Sequence, residues 1–342
     1  MKKVLALLLT VTMIFMLLTA CSSKDNKDAS NNSATTKAAT SDDAKAGKKI
    51  KIGIVQHVDH PSLNLIRETI ESELKAQGLG DKVEVVFKNA NGDMTMLPTI
   101  FQNMISDGVD ILVPIATPTA QAALAATTTV PIVFSAVSDP VAAGLVTSFD
   151  KTTGNITGVS NSIPIEDIFA LAAQLTPNAK TFGFVYNTSE VNSVSGINRA
   201  KKYCDEHGIA YKEATITGTA DLQEAASSLI GKVDAFFTPN DNTVASAMPT
   251  YVQVTSDAKL PIYVGADSMV NDGGLETVGI DYTVLGKQTA DMIARIVAGK
   301  SIADNHVEQV SKYAKMINTK SADQLGITIP DSLKDQFVIM GK

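Results

Sequence analysis

The chain of 342 residues is long enough for two domains of about 100–150 residues each. Hydrophobic residues make up 44% and charged residues 19%, proportions that are typical of a globular protein and exclude a wholly disordered one. The formal net charge of −7 argues against a nucleic-acid partner, because phosphate binding requires a basic surface. Two cysteines, Cys21 and Cys204, are too few for a disulfide framework or a thiolate-rich zinc site.

The first twenty residues have the pattern of an export signal. Met1-Lys2-Lys3 is basic and residues 4–18 are almost continuously apolar, which is short for a membrane span but suits a secretory signal. Leu18-Thr19-Ala20-Cys21 then resembles the bacterial lipobox, which implies diacylglycerol, with acyl chains such as palmitate, on the Cys21 thiol after export. The alternative is an ordinary signal peptide with a chance cysteine. We expect residues 1–20 to be removed and the protein to be lipid-anchored on the extracytoplasmic face of the cell membrane.

The segment that follows has the composition of a tether. Residues 21–48 are rich in Ser, Asn, Asp, Lys, Ala and Thr and show no apolar periodicity. Such a segment cannot bury enough apolar surface to fold by itself. We therefore expect residues 21–48 to be a lipidated, flexible linker between the membrane and the folded protein.

From residue 49 onward, short strand-like runs alternate with amphipathic stretches, which is the pattern of α/β units with parallel sheets. The first series predicts strands at 50–58, 83–88, 110–115 and 131–137, with helices at 62–77, 95–107 and 118–126. A second series predicts strands at 181–187, 210–216, 233–238 and 261–265, with helices at 191–207, 220–230 and 243–257.

The second series repeats the first at a nearly constant step. Ile52-Gly53-Ile54-Val55 corresponds to Phe182-Gly183-Phe184-Val185, and Val130-Pro131-Ile132-Val133 corresponds to Leu260-Pro261-Ile262-Tyr263, each 130 residues later. We therefore predict two Rossmann-like lobes, each built on a parallel sheet.

Two further strand-like segments, 155–162 and 275–282, lie where the chain would pass between the lobes. After a predicted helix at 284–298, the tail would return to the first lobe. The expected boundaries are 49–160, with a return of about 300–342, for the first lobe and 161–299 for the second. Several crossings make a multi-strand hinge, and the cleft between hinged lobes is the usual place for a small ligand.

The repeat also indicates which residues face that cleft. In open parallel sheets, ligands bind beyond the carboxyl ends of the strands, where helix N-termini also point. At one equivalent pair of strand ends, the first lobe has Thr117 at the start of a helix and the second has Asp241. A hydroxyl with free backbone N–H groups suits a carboxylate, whereas Asp241 suits an ammonium.

The other strand ends carry further polar residues. The complete set of ligand-binding candidates is His60, Thr117, Ser135 and Asp139 in the first lobe and Asn187, Glu190, Asn192, Ser193, Asp241, Asn242 and Asp267 in the second. Acids gather in the second lobe opposite hydroxyl and amide donors in the first, so a zwitterion would bridge the two. Each residue also has a simpler interpretation, since Thr117 and Asp241 are ordinary helix N-caps and Asp139 before Pro140 can start a turn.

A set of motifs, in order along the chain, resembles one family. They are His60-Pro61-Ser62-Leu63, Asn89-Ala90-Asn91-Gly92-Asp93, Ala116-Thr117-Pro118-Thr119-Ala120-Gln121, Val137-Ser138-Asp139-Pro140, Tyr186-Asn187-Thr188-Ser189-Glu190-Val191-Asn192-Ser193 and Asp241-Asn242-Thr243-Val244. This order resembles the tryptophan/tyrosine-type substrate-binding lipoproteins of ABC importers, a branch of the type I periplasmic-binding-protein superfamily, from Lys49 to about residue 315. The resemblance implies two hinged lobes, amino-acid ligands with aromatic ones best supported, and docking onto a permease driven by an ATPase. It also implies a ligand carboxylate near Thr117 and the Asn192-Ser193 turn, with the amine near Asp241 and Asp267.

Other functions find weaker support. No Gly-x-Ser-x-Gly elbow, Walker loop, Gly-x-Gly-x-x-Gly or His pair at metal spacing is present in the sequence, so we expect neither an enzyme nor a cofactor or metal. A sugar- or nucleoside-binding protein of the same fold remains an alternative, although the absence of Trp disfavours stacking on sugar rings. A surface receptor or adhesin is another. Phe134, Tyr186 and Tyr263 lie close to strand ends and could wall an aromatic ligand or belong to the core. We expect a monomer.

Overall fold

The computed structural model describes residues 48–152, 154–310 and 312–341. The predicted signal, tether and Cys21 lie outside these residues. Thirteen strands are described: β1 Ile50–Gln56, β2 Val83–Asn89, β3 Ile111–Ile115, β4 Ile132–Val137, β5 Ile156–Ser160, β6 Thr181–Asn187, β7 Ala210–Ile216, β8 Ala235–Thr238, β9 Ile262–Val264, β10 Glu276–Ile280, β11 Glu308–Gln309, β12 Tyr313–Asn318 and β13 Phe337–Met340. The α-helices are α1 Pro61–Ala76, α2 Leu97–Ser106, α3 Thr117–Ala126, α4 Ile165–Leu175, α5 Val191–His207, α6 Leu222–Leu229, α7 Asn242–Ser246, α8 Met248–Asp257, α9 Asp267–Asn271, α10 Tyr282–Val297, α11 Thr319–Leu325 and α12 Asp331–Lys334.

The first lobe is built on a six-stranded, all-parallel sheet in the order β11-β5-β4-β3-β1-β2. Every residue of β3, β4 and β5 is buried. Continuous apolar runs of this kind are expected where helices cover both faces of a sheet. The carboxyl ends of these strands therefore share one edge, which is the edge that carries the candidate residues of the first lobe.

The second lobe has a seven-stranded sheet in the order β13-β12-β10-β9-β8-β6-β7. Strands β6 to β10 are parallel, whereas β12 runs antiparallel to β10 and β13 pairs with β12. The predicted arrangement of two α/β lobes with mostly parallel sheets is confirmed. Strands β11, β12 and β13 and helices α4, α9, α11 and α12 were not predicted, and the single helix expected at 243–257 is two helices that meet at Ala247.

The hinge has three crossings, and two segments belong to the lobe opposite to the one we expected. Strand β5 lies in the first sheet while α4 packs on β9 and β10 of the second. Helix α10, expected in the second lobe, packs on α1, β4 and β5 of the first. Of the tail, expected in the first lobe, only β11 joins the first sheet, and residues 313–340 complete the second.

Packing explains both corrections. Gly286 lets α10 lie against α1, because a side chain there would meet Thr69 at 2.7 Å. Strand β12 pairs with the edge of β10 that would otherwise be free, and Ile317 of β12 is buried in the core. Neither the close contact at Gly286 nor the pairing of β12 with β10 can be recognised from a periodicity in the sequence. Among the described residues, no helix is long and apolar enough to cross a membrane.

Candidate ligand site between the lobes

The carboxyl ends of both sheets meet around a small cavity of about 20 Å³, which is room for a single water. Residues of the first lobe, the second lobe and the crossing segments line it: His60, Leu63, Ala136 and Ser138; Asn192, Asn240, Asp241, Asn242, Ala245, Ala266 and Met269; and Asn161 and Tyr282. A larger pocket of about 310 Å³ shares Ser138, Asn192 and Asn240 with this cavity. The two spaces together form the candidate ligand site.

Two alanines give the first-lobe edge an unusual backbone. Ala116 and Ala136 have φ values of +84° and +57°, in the region that residues with a side chain rarely adopt. Ala136 interrupts the pairing of β4 with β5, since the register shifts between Ser135 and Val137. Backbone in these conformations is held in place by its surroundings and is common at functional sites. Here the bulge places Ala136 and Ser138 in the cavity wall.

Glu190 organises the second-lobe side of the cavity. It is fully buried and accepts hydrogen bonds from the backbone N–H groups of Asn242 and Thr243 at 3.1 and 2.9 Å, and from the Thr243 hydroxyl at 2.7 Å. It also accepts from Asn192 Nδ2 at 3.0 Å. Glu190 was predicted to contact the ligand, but the structure uses it to hold the residues that line the cavity.

Asp241 is both a helix cap and a cavity residue. Its carboxylate accepts the backbone N–H groups of Asn187 at 2.6 Å and Val244 at 2.8 Å, so the capping interpretation is confirmed. It also lines the cavity, although it is almost wholly buried. Burial, and then the negative charge of Glu190, raise the pKa of Asp241 above its usual value. A cation placed beside Asp241 would reverse that shift.

Asn192 presents a free acceptor to the site. Its Nδ2 donates to Glu190 and to the Asn240 carbonyl at 2.7 Å, which fixes the orientation of the amide. Its Oδ1 is buried and has no hydrogen-bond partner among the described residues. Asn192 lines both spaces, so this oxygen is placed to accept a hydrogen bond from a ligand.

His60 enters the cavity from the first lobe, at the residue before α1. Burial lowers the pKa of His60 to about 4, so the imidazole is neutral at physiological pH. Its Nε2 lies 3.5 Å from Asn242 Oδ1 in the second lobe, whereas Nδ1 has no partner among the described residues. His60 and Asn242 therefore join the two lobes at the cavity wall.

Besides Glu190 and Asp139, five predicted residues lie outside the wall of this cavity. Ser135 is 2.8 Å from the Thr289 hydroxyl within the first lobe, and Asn187 donates to Thr243 at 2.8 Å within the second. Ser193 Oγ accepts a hydrogen bond from Asn192 Nδ2 at 3.4 Å and so supports a lining residue. Thr117, the first residue of α3, is buried and its hydroxyl has no partner among the described residues. The fifth is Asp267, which contacts the first lobe.

Asp139 lies at the larger pocket. It caps a turn by accepting the Ala142 N–H at 2.9 Å, and it accepts the Ser195 hydroxyl of the second lobe at 2.7 Å. Asp139 thus starts a turn, as predicted, and the same side chain lies at the cleft. Asp139 is a contact between the lobes at the pocket wall.

The sequence missed several lining residues. Asn240 precedes a predicted residue, and Asn161 lies near the end of the predicted crossing strand 155–162, so a signal in the sequence lay close to each of them. Arg199 lines the larger pocket from within α5, where it is paired with Glu166 at 2.6 Å, and no pattern marked it.

The aromatic residues near the strand ends belong to the core. Phe134, Tyr186 and Tyr263 are all buried there, and the aromatic side chains at the site are instead Phe149 and Tyr282. In the described part of the chain, no group of three or more His, Cys, Asp or Glu residues could hold a metal ion.

The family is established by comparison with known proteins. The model of the ABC transporter substrate binding protein family matches residues 51–337. The chain belongs to this family. As such it is a substrate-binding protein with the type I periplasmic-binding-protein fold, and not an enzyme. It is 36% identical to a tyrosine-binding protein of Clostridioides difficile over 319 aligned residues. The alignment covers 93% of this chain and 90% of the relative.

Two solved structures of similar proteins allow the arrangement of the lobes of this substrate-binding protein to be compared with theirs. An ABC domain from Streptococcus pneumoniae in complex with L-Trp is 38% identical, covers 85% of this chain and 99% of its own, and has a TM-score of 0.83. The ligand-free, open structure of a substrate-binding protein with adhesive properties from Clostridium difficile is 36% identical, with coverage of 85% and 99%, but its TM-score is 0.64. Although the two structures have similar sequence identity to this chain, the arrangement of its lobes is closer to that of the ligand-bound structure.

Proposed function

We propose that this protein captures a free amino acid between its lobes, with tryptophan and tyrosine the first candidates. The observation that carries the proposal is the pair of buried acceptors at the second-lobe wall: the Asp241 carboxylate and the unpartnered Asn192 Oδ1. An ammonium needs such acceptors, and it would compensate the charge of a carboxylate whose pKa burial has raised. The relatives named for tyrosine and bound to L-Trp support the same ligand class.

The larger pocket suits the side chain of that ligand. Phe149, Ile163 and Pro239 give it apolar walls, and it shares Asn192 with the cavity that holds Asp241. An aromatic ring in this pocket would place the ammonium toward the acceptors. The carboxylate near Thr117 stays a prediction, supported by a buried hydroxyl that has no partner among the described residues.

The remaining roles follow from the family and from the sequence. We propose export through residues 1–20, lipidation of Cys21 and anchoring on the extracytoplasmic face of the cell membrane. We also propose delivery of the ligand by a monomer to an importer made of a permease and an ATPase. The resemblance to lipoproteins of ABC importers supports these assignments. Globomycin, which inhibits lipoprotein signal peptidase, tests the anchor, because the unprocessed precursor should accumulate; unchanged processing would refute lipidation.

Calorimetric titration of the purified protein with the twenty amino acids, common sugars and nucleosides tests the ligand class. We expect heat of binding with an aromatic amino acid and none with its analogue that lacks the amine. Asp241→Asn should weaken binding about tenfold or more, since a hydrogen bond to a charged group contributes about 1.5–3 kcal/mol. Binding of a sugar or nucleoside alone would refute the proposal and favour the alternative ligand classes.

The chain offers a matched control for this substitution. Asp234 lies before the amino end of β8, whereas Asp241 follows its carboxyl end, and Asp234 also accepts two backbone N–H groups, those of Lys180 and Thr181, each at 2.8 Å. Asp234→Asn makes the same chemical change away from the cleft and should leave affinity unchanged. If both variants lose affinity equally, Asp241 acts only as a structural cap.

A further inference from the structure

A second group of polar side chains joins the lobes outside the cavity. Ser62, in the first turn of α1, donates its hydroxyl to Asp267 Oδ1 at 3.1 Å and lies 2.7 Å from Ser268 Oγ. Asp267 and Ser268 open helix α9 of the second lobe. None of the three lines the ligand cavity or the larger pocket.

In the second lobe, Asp267 is held in position by a hydrogen bond that does not involve the first lobe. Asp267 Oδ1 also accepts the backbone N–H of Ser268 at 2.6 Å, a bond within α9 that persists when the lobes separate. Ser62 has no such local partner among the hydrogen bonds of the described residues and is almost wholly buried. Its hydroxyl is therefore satisfied within the protein only when the lobes meet, and it meets an acceptor that is already in position.

We infer that Ser62, Asp267 and Ser268 form an interlobe latch that determines how long a ligand is retained without touching the ligand. The inference rests on the proposed function insofar as the cleft retains a small molecule. Opening must break a hydrogen bond to a carboxylate, whereas a ligand enters through the open form, in which the latch is not made. The latch thus affects the rate of release and leaves the rate of capture unchanged.

This role differs from the one that the sequence predicted for Asp267. As a contact to the ligand ammonium, Asp267 would act independently of Ser62. As part of the latch, it acts through Ser62. A double-mutant cycle separates these two roles, because only residues that interact give non-additive effects.

The first experiment measures L-tryptophan release by stopped flow for wild type, Ser62→Ala, Asp267→Ala and the double variant. We expect Ser62→Ala to release L-tryptophan about tenfold faster with an unchanged association rate, and the double variant to be no faster than Asp267→Ala. Ser72→Ala is the matched control, since the Ser72 hydroxyl, on the same helix, donates only to the Thr69 carbonyl. An unchanged release rate in Ser62→Ala, or effects of the two substitutions that multiply, would overturn the latch.

The second experiment needs no ligand, so it separates failure of the latch from failure of the proposed function. Asp139 and Ser195 approach each other across the cleft, with Oδ2 and Oγ 2.7 Å apart. In Asp139→Cys/Ser195→Cys, a short bis-thiosulfonate reagent links the lobes whenever they close, and Cys204 is buried and does not compete. Adding Ser62→Ala should slow this crosslinking about tenfold, whereas adding Ser72→Ala should not. Equal rates in all three backgrounds would show that Ser62 does not stabilise closure.

Discussion

At the scale of single residues, the site is made of side chains that serve structure and ligand together. Asp241 was predicted from its place after a strand, and its two functions, helix cap and cavity wall, depend on the same position. His60, Asn192 and Asn242, which also line the cavity, were predicted by the same reasoning. Ser138, Asn161 and Tyr282 were not, because their place in the wall depends on a bulge and on chain crossings that have no local pattern.

Glu276 is a buried acid that the binding proposal does not use. It lies on β10, is fully buried, and neither carboxyl oxygen has a partner among the described residues. Burial raises the pKa of Glu276 well above its usual value, with Lys315 opposing the shift. The carboxyl is therefore protonated in the folded protein under conditions in which the unfolded chain would ionise it.

The pH dependence of stability follows from the sign of this shift. Below the unfolded pKa of about 4.3, both states are protonated and Glu276 adds no pH-dependent cost. As pH rises above that value, the unfolded state loses its proton first, so folding stability falls. Glu276→Leu should raise the free energy of unfolding at pH 8 by on the order of 1–3 kcal/mol, and by less at pH 4.

Urea unfolding at the two pH values measures this effect. Exposed Glu84 on β2 provides the control, because Glu84→Leu removes the same charge without releasing a buried carboxyl. A gain in Glu276→Leu that does not depend on pH would mean that the carboxyl is not the cause.

At the scale of elements, the order from β1 to α10 followed from the sequence apart from α4 and α9, but the lobe that each late element joins did not. A strand followed by an amphipathic helix has the same pattern whichever sheet the helix covers. Helix α10 was consequently assigned to the wrong lobe. What decides its place is a close contact with α1, and Gly286 is the residue that permits it.

Gly286→Ala tests that contact. The added Cβ would lie 2.7 Å from Thr69 Cβ and 3.1 Å from the Ile66 carbonyl, so α10 must shift away from α1. We expect a loss of about 1–3 kcal/mol in the free energy of unfolding, measured by urea denaturation. Gly80→Ala, where the nearest neighbour is an atom of Lys75 at 3.6 Å, should change stability little. Equal stability of the two variants would show that α10 tolerates greater separation.

At the scale of the whole molecule, the lobes meet through His60, Ser62 and Asp139, each paired with a residue of the second lobe. These contacts require a closed arrangement, in keeping with the greater similarity to the L-Trp complex than to the open structure. Two lobes and a cleft could be predicted from the repeat alone. The closed contacts could not, because they depend on how side chains from distant segments fit together.

Closure is directly measurable in solution. Small-angle scattering of the purified protein should give a smaller radius of gyration at saturating L-tryptophan than without it, since ligand binding favours the closed arrangement. Asp241→Asn at the same ligand concentration should show a weaker change. An unchanged radius for wild type, with L-tryptophan shown to be bound by calorimetry, would mean that capture does not require movement of the lobes.

The exchange of segments between lobes also affects the order in which the protein can be assembled. Strand β5 ends at Ser160, but the first lobe still lacks α10, which begins at Tyr282, and the edge strand β11. About 120 residues must be synthesised in between, which takes roughly 6–24 s at 5–20 residues per second. During that interval the parts of α1 and β4 that pack on α10 remain uncovered by it. A chaperone that holds the nascent chain unfolded would find its binding surface there, and the first lobe should mature only after most of the second has been synthesised.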